Sequence, residues 1–266
     1  MVAARWAGGN TPGHRVCAQT ESRIWVLGFG PRRVESGMTI PAPMTPIAAW
    51  PAPPGAPVLL FGGSFDPPHR AHTDLALAAR DAVYPDDRHA PAWLVFVPAA
   101  RSPHKPTNPA ATNAQRVEML RLATADADRV AIWTDEIDRA HETAPSFWAD
   151  TIERARTIAP DASIRFLIGA DQAIAFDRWH AHERILELAE PAVLLRDPCA
   201  TREAFRSTLL STGLDPAAWM PRLVETEVSP AASTNARDEL ARGGTPTDLL
   251  DPRVLDYIRE HGLYGG

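Results

Sequence analysis

The segment from Gly62 to His72 concentrates residue types that can hold a phosphate chain. It reads GGSFDPPHRAH and directly follows the apolar run at 58–61, so it predicts a turn between a buried strand and a helix. Paired glycines let the backbone approach an anion, and a helix that begins near Arg70 directs unpaired N–H groups to the same place. Because His69 and His72 are three residues apart, both imidazoles can face one ligand. The turn is therefore predicted to bind a polyphosphate.

A second candidate anion site lies late in the chain, where Ser233 and Thr234 precede a helix that carries Arg237. Hydroxyl and N–H groups at a helix start, with a guanidinium one turn further on, can bind two neighbouring phosphates. The same residues would also form an ordinary helix cap, which is the commoner explanation for such a pattern. Taken alone, this segment does not decide between the two.

Two more polar segments follow predicted strands. One contains Lys105, the only lysine of the chain, in a loop where its ammonium group could reach a phosphate. The other is Gly169-Ala170-Asp171, which is followed by Trp179 and His180. Each also has an ordinary interpretation, as a solvated loop, a strand-ending turn or a packed aromatic residue.

These segments need a scaffold that brings the ends of strands together. From residue 58 onwards short apolar runs alternate with helical segments, which favours an α/β fold: a single domain with a Rossmann-like, doubly wound parallel sheet. Such sheets bind ligands at the carboxyl ends of their strands, near the switch in strand order. The predicted strands are 58–61, 93–97, 130–133, 164–168 and 192–195, and the predicted helices are 70–83, 114–124, 147–158 and 183–188, with a terminal helix around 254–258. The predicted caps of the second and third helices are Asn113 and Ser146.

The composition is that of a globular protein of 266 residues, of which 45% are hydrophobic. A net charge of −6 argues against a general binder of nucleic acids or anionic membranes, because both functions need a basic surface. Cys17 and Cys199 lie far apart, and His69, His72 and His104 match no zinc-binding spacing. We therefore expect a cytoplasmic protein with no metal site, no nucleic acid partner and no membrane partner.

Residues 1–56 differ in character from the rest of the chain. They show no sustained helical or alternating period, and prolines crowd the end of the stretch. We expect a disordered, proline-rich extension at 1–56, followed by the folded domain at 57–266.

The opening turn resembles the GGxFDPxHxGH signature of the nucleotidyltransferase superfamily. Later strings follow in family order and are similar to those of the bacterial nicotinate-mononucleotide adenylyltransferase family. They are SPHK (102–105), QRVEMLRLA (115–123), PSFWADTIE (145–153), FLIGADQ (166–172), RWH (178–180), STNAR (233–237) and YIREHGLY (257–264). Together they cover nearly all of residues 58–264.

The resemblance implies an enzyme that transfers AMP from ATP to nicotinate mononucleotide and releases pyrophosphate, with Mg²⁺ arriving on the ATP. It implies that His72, His69 and Arg237 stabilise the phosphates during transfer. The residues implied to bind ATP are Gly62, Gly63, Ser64, Phe65, Gly169, Asp171, Ser233 and Thr234, and those implied to bind the pyridine mononucleotide are Lys105 and Trp179.

Three positions depart from the family pattern. Ala71 replaces a glycine, the pair Phe147-Trp148 replaces Tyr-Thr, and Ala236 replaces an isoleucine. Two alternatives therefore stay open. One is a sister transferase that acts on nicotinamide mononucleotide, phosphopantetheine or a cytidine nucleotide, and the other is a nucleotide-binding regulator with impaired catalysis. The sequence leaves the oligomeric state unknown.

Overall fold

A single parallel sheet organises the chain. The computed structural model describes residues 50–85, 91–101, 109–140, 146–226 and 233–265. Its six strands run in the order β3-β2-β1-β4-β5-β6, so the strand order reverses between β1 and β4. The predicted doubly wound α/β fold is confirmed. The strands are β1 (Val58–Gly63), β2 (Trp93–Pro98), β3 (Val130–Ile132), β4 (Ile164–Gly169), β5 (Glu190–Leu194) and β6 (Leu223–Val224).

Helices follow the strands and cover both faces of the sheet. They are α1 (Arg70–Val83), α2 (Asn113–Ala123), α3 (Asp135–Asp138), α4 (Trp148–Ile158), α5 (Ala170–Ile174), α6 (His182–Leu188), α7 (Arg202–Ser211), α8 (Pro216–Trp219), α9 (Ser233–Ala241) and α10 (Pro252–Glu260). Short 3-10 turns occupy Phe176–Arg178, Met220–Arg222 and Leu263–Gly265. Among these described residues, no helix is long and apolar enough to cross a membrane.

Two local details differ from the sequence-based expectation. The cap of α2 is Thr112, whose hydroxyl accepts a hydrogen bond from the N–H of Gln115, and not Asn113. The cap of α4 is Phe147 and not Ser146. Strand β6 was not predicted, because two residues are too few to show an alternating pattern.

The central strands β1, β2 and β4 are mostly apolar because they are buried on both faces. Val58 and Leu60 of β1 point into a core shared with α4 and α7, whereas Leu59 points into a core shared with α1 and α2. A smaller apolar cluster joins α2, α9 and α10 through Met119 and Ile258, among others. The last two helices thereby pack on α2.

The described part of the chain begins before residue 57. Trp50 packs edge to face on Trp133, with ring centroids 5.2 Å apart, and Ala52 is buried in the same core. Residues 50–56 therefore pack on the domain, although their proline content predicted an extension that reaches residue 56. The rest of the predicted extension, residues 1–49, lies outside the described residues.

Candidate active site

A cavity of about 770 Å³ opens at the carboxyl ends of the central strands. Its wall includes Gly62 to Ser64 at the end of β1, His72 on α1, and Gly169 and Asp171 at the start of α5. Arg196, just beyond β5, completes that side. The cavity therefore lies at the switch in strand order, where the sequence predicted a ligand site.

The two glycines of the turn are required by the packing of aromatic rings. A Cβ atom at Gly62 would lie 2.6 Å from the ring of Trp148, and one at Gly63 would lie 2.9 Å from the ring of Phe65. Phe65 itself has a left-handed backbone (φ 49°) and a buried ring that packs edge to face on Phe96 at 5.5 Å. The turn thus places its backbone at the cavity wall and its one phenylalanine ring in the core.

The two histidines of the turn lie together but have different surroundings. Their rings stack with centroids 3.7 Å apart, and the backbone N–H of His69 donates a hydrogen bond to Nδ1 of His72 at 3.3 Å. His72 lines the cavity, whereas His69 is only 6% exposed and is not among the described residues of its wall. Burial, together with the positive charge of Arg196, lowers the pKa of His69 to about 4. The His69 imidazole is therefore neutral at pH 7.

The segment from Ser233 to Arg237 contacts the turn directly. The hydroxyl of Ser233 donates to the carbonyl oxygen of Pro67 at 3.0 Å, and the guanidinium of Arg237 donates to that of Asp66 at 2.6 Å. Arg237 also donates to the hydroxyl of Thr234 at 3.2 Å. The two predicted anion-binding segments are thus brought together by the fold. Ser233, Thr234 and Arg237 lie against the turn itself and not among the described residues of the cavity wall.

Asp171 forms a two-pronged ion pair with Arg196. Nε of Arg196 donates to Oδ1 of Asp171, and Nη2 donates to Oδ2 at 2.8 Å. Burial alone would raise the pKa of Asp171, but the hydrogen bonds and charge of Arg196 outweigh it and hold that pKa below its ordinary value. A Cβ atom at Gly169 would collide with the Arg196 guanidinium. Glycine at 169 therefore gives this ion pair its space.

The far wall of the cavity is aromatic. Trp179 packs on Phe176 with ring centroids 5.1 Å apart, and His180 lies against Phe147 at 4.4 Å. Trp148 lines the same cavity and faces Gly62. The residues that depart from the family pattern at 147 and 148 are therefore wall residues, and they enlarge the apolar surface that a planar ligand would meet.

Known proteins resemble this chain in sequence and in fold. The cytidylyltransferase-like family profile matches residues 60–237, which is more than half of the chain. The chain belongs to the cytidylyltransferase-like family. A sequence from Laribacter hongkongensis called "Probable nicotinate-nucleotide adenylyltransferase" is 34% identical over 77% of this chain and 93% of its own length. A sequence of the same name from Chromobacterium violaceum is 34% identical over 79% of this chain and 99% of its own.

Solved structures of the same description share the fold. A nicotinic acid mononucleotide adenylyltransferase from Plasmodium falciparum, complexed with NaAD, aligns with a TM-score of 0.57 at 16% identity. The alignment covers 79% of this chain and 97% of that one. The family resemblance predicted from the sequence strings is confirmed.

Arg116 of this cytidylyltransferase-like chain is a site residue that sequence reasoning missed. It is fully buried, and its guanidinium donates to the carbonyl oxygens of Ser64 (2.6 Å) and Ala99 (2.7 Å). It therefore ties the turn to the segment that follows β2. The available signal was an arginine beside Val117 and four residues before Leu120, on the apolar stripe of a helix.

Glu136 is a second missed residue. It lies on α3, lines the cavity, is 4% exposed and accepts a hydrogen bond from the hydroxyl of Thr151 at 3.1 Å. Burial raises the pKa of Glu136 to about 7, and the neighbouring carboxylate of Asp135 contributes to the rise. The sequence does not distinguish Glu136 from an ordinary surface residue, because acidic residues in short polar segments are usually exposed.

The remaining predicted residues are placed as follows. Lys105, with His104, lies outside the described residues. Ala71 lies in the first turn of α1 with a helical backbone, so the alanine costs nothing there. Within the described ranges, no three His, Cys, Asp or Glu side chains are grouped so that they could hold a metal ion.

Proposed function

We infer that the protein is a nicotinate-nucleotide adenylyltransferase. It transfers AMP from ATP to nicotinate mononucleotide and releases pyrophosphate, as a step of NAD biosynthesis. The observation that carries this conclusion is the contact between two segments predicted to bind anions, the turn at 62–72 and the start of α9, beside a cavity at the strand switch. The family membership and the adenylyltransferase relatives support the same reaction.

The reaction requires that the two substrates be positioned and that the charge of the transition state be stabilised. An oxygen of the mononucleotide 5′-phosphate attacks the α-phosphorus of ATP, and the bond from that phosphorus to the bridging oxygen of the β-phosphate breaks. The attacking oxygen is already an anion, so no general base is needed. The protein therefore has to align the two phosphates and to stabilise the charge that develops on the α-phosphate and on the leaving pyrophosphate.

We propose that His72 donates the hydrogen bond that stabilises the α-phosphate. Its Nδ1 accepts from the backbone N–H of His69, and in the neutral ring this places the proton on Nε2. An Nε2–H at the cavity wall can donate to a phosphate oxygen. His69 is buried and neutral, so we propose that it supports the transfer by holding the ring of His72 rather than by carrying a positive charge.

The other roles are proposed from position and chemistry. Arg237, with Ser233 and Thr234, supplies the cation and hydroxyls for the β- and γ-phosphates, close to the turn they contact. Asp171 offers an acceptor for the adenosine ribose. The backbone from Gly62 to Phe65 and Gly169 would contact the ATP, Trp179 would stack on the pyridine ring, and Lys105 would bind a substrate phosphate.

ATP is proposed to enter as its Mg²⁺ complex, so the metal is part of the substrate. Its charge would be met by phosphate oxygens, and the protein would supply arginine and backbone N–H groups around them. We also propose the cytoplasm as the site of action, because the substrates named here are small phosphorylated metabolites and the two cysteines form no disulfide pattern.

A pyrophosphate-release assay with purified protein tests this function. ATP and Mg²⁺ would be combined in separate reactions with nicotinate mononucleotide, with nicotinamide mononucleotide and with phosphopantetheine. A fourth reaction would contain no acceptor. We expect turnover with nicotinate mononucleotide above that with the other acceptors. Turnover only with phosphopantetheine would identify a sister transferase. ATP binding in a calorimeter without turnover of any acceptor would identify a regulator, and either result would contradict the proposal.

A further inference from the structure

Asp66, in the middle of the turn, joins four separate parts of the chain. Its carboxylate, 6% exposed, accepts hydrogen bonds from the backbone N–H groups of Ala110 (2.7 Å) and Ala111 (3.0 Å). It accepts a third from the hydroxyl of Tyr264 at 2.6 Å, while its carbonyl oxygen accepts from Arg237. The turn, the segment before α2, α9 and the segment after α10 thus meet at one residue.

Tyr264 is placed for this contact at some cost. It follows α10, and its backbone has φ 59°, a left-handed conformation that is unfavourable for a residue with a Cβ atom by about 1 kcal/mol. Burial and the contact with the Asp66 carboxylate raise the pKa of its hydroxyl, so the hydroxyl keeps its proton and donates it. A short hydrogen bond to a buried carboxylate is among the stronger contacts in a protein and offsets the backbone cost.

The contact acts on the residues proposed to stabilise the phosphates. Asp66 lies between Ser64, whose carbonyl oxygen is fixed by Arg116, and His69, which begins the stacked histidine pair. Rotation of the Asp66 carboxylate would release the turn from both the α2 segment and Tyr264, and would move the carbonyl that holds Arg237. Small displacements of positioning groups lower the rates of transfer reactions steeply.

We propose that Tyr264 is a positioning residue for the AMP transfer, because its hydroxyl fixes Asp66 and through it the turn that carries His72 and contacts Arg237. The inference rests on the proposed function. It assigns to a side chain 198 residues away along the sequence a part in setting the geometry of the phosphate site.

The test is Tyr264→Phe, which removes a single oxygen atom, with Tyr257→Phe as the matched control. Tyr257 lies on α10 and its ring stacks on His261, at 4.0 Å, so its replacement removes a hydroxyl from the same region. We expect Tyr264→Phe to lower kcat by about tenfold and to weaken ATP binding several-fold, with KM for nicotinate mononucleotide within about twofold. Tyr257→Phe is expected to match the wild type in all three.

Two readings of the data would overturn the inference. One is wild-type kcat and ATP affinity in Tyr264→Phe. The other is an equal fall in the affinity for both substrates together with a lower folded fraction by circular dichroism at the assay temperature, which a merely structural role would give. Calorimetric ATP binding needs no second substrate, so it decides the inference even if no mononucleotide is turned over, a result that would overturn the proposed function instead.

A double-mutant cycle tests whether Tyr264 acts through Asp66. Asp66→Asn retains the size of the side chain but weakens its acceptor capacity for the hydroxyl. We expect Tyr264→Phe to have no further effect on kcat in the Asp66→Asn background, because the coupled contact is already lost. If the fold-changes in kcat from the two substitutions multiply in the double variant, Tyr264 acts by a route that does not involve Asp66.

Discussion

The titration of Glu136 gives a prediction about stability that does not depend on the proposed function. The pKa of this side chain is raised from 4.5, its ordinary value, to about 7 by burial. Between these two pH values the folded chain keeps a proton that the unfolded chain releases, so stability falls as the pH rises. The difference corresponds to about 3 kcal/mol, which is present in full below pH 4.5 and lost above pH 7.

Glu136→Gln removes this titration and keeps the shape of the side chain. We expect the variant to match the wild type within about 1 kcal/mol at pH 5, and to exceed it by up to about 3 kcal/mol in free energy of unfolding at pH 8. Urea unfolding of both proteins at the two pH values measures the change, and Glu260→Gln, at an exposed position of α10, is the control. Titrations elsewhere in the chain cancel in the comparison between variant and wild type.

A difference between Glu136→Gln and wild type that is the same at pH 5 and pH 8 would contradict a raised pKa for Glu136. That result would mean that Glu136 is ionised in the folded protein, with its charge satisfied despite the burial. A pH-dependent difference of similar size in Glu260→Gln would show that the effect does not come from the buried position.

Three further predictions follow from the site. His72→Ala should lower kcat by ~10²-fold in the pyrophosphate assay while the melting temperature stays within a few degrees, and an unchanged kcat would remove the proposed role. Gly169→Ala should displace the guanidinium of Arg196 and raise KM for ATP, whereas KM for the mononucleotide should stay unchanged. Equal changes in the two KM values would contradict a local effect. Arg116→Met should lower the free energy of unfolding by about 3 kcal/mol in urea, because the carbonyl oxygen of Ser64 and other acceptors lose their buried donor, and a loss below 1 kcal/mol would count against this account.

Most of the elements could be predicted because their signals are local. The central strands appear as short apolar runs, since both faces of the sheet are covered, and the helix after the turn was predicted with both of its ends. The prediction was wrong where an element is very short, or where its composition is also typical of unstructured segments. The two residues of β6 show no period, and residues 50–56 carry prolines yet contribute Trp50 and Ala52 to the core.

The residues of the candidate site also fall into two groups, those that the sequence indicated and those that it did not. Three segments, at 62–72, 169–171 and 233–237, could be proposed from the sequence because chemistry-bearing residues are contiguous in each. Arg116, Glu136 and Arg196 were missed, because each matters through partners that are distant in sequence.

The turn from Gly62 to His72 shows where the limit lies. Its residue types and spacing were enough to predict a phosphate-binding turn between a strand and a helix, since those properties depend on the local backbone. The tertiary structure alone decided that His72 lines the cavity while His69 is buried, and that Asp66 bonds to Arg237 and Tyr264. Burial and hydrogen bonding between remote segments set these environments, and neither can be predicted from the spacing of neighbouring residues.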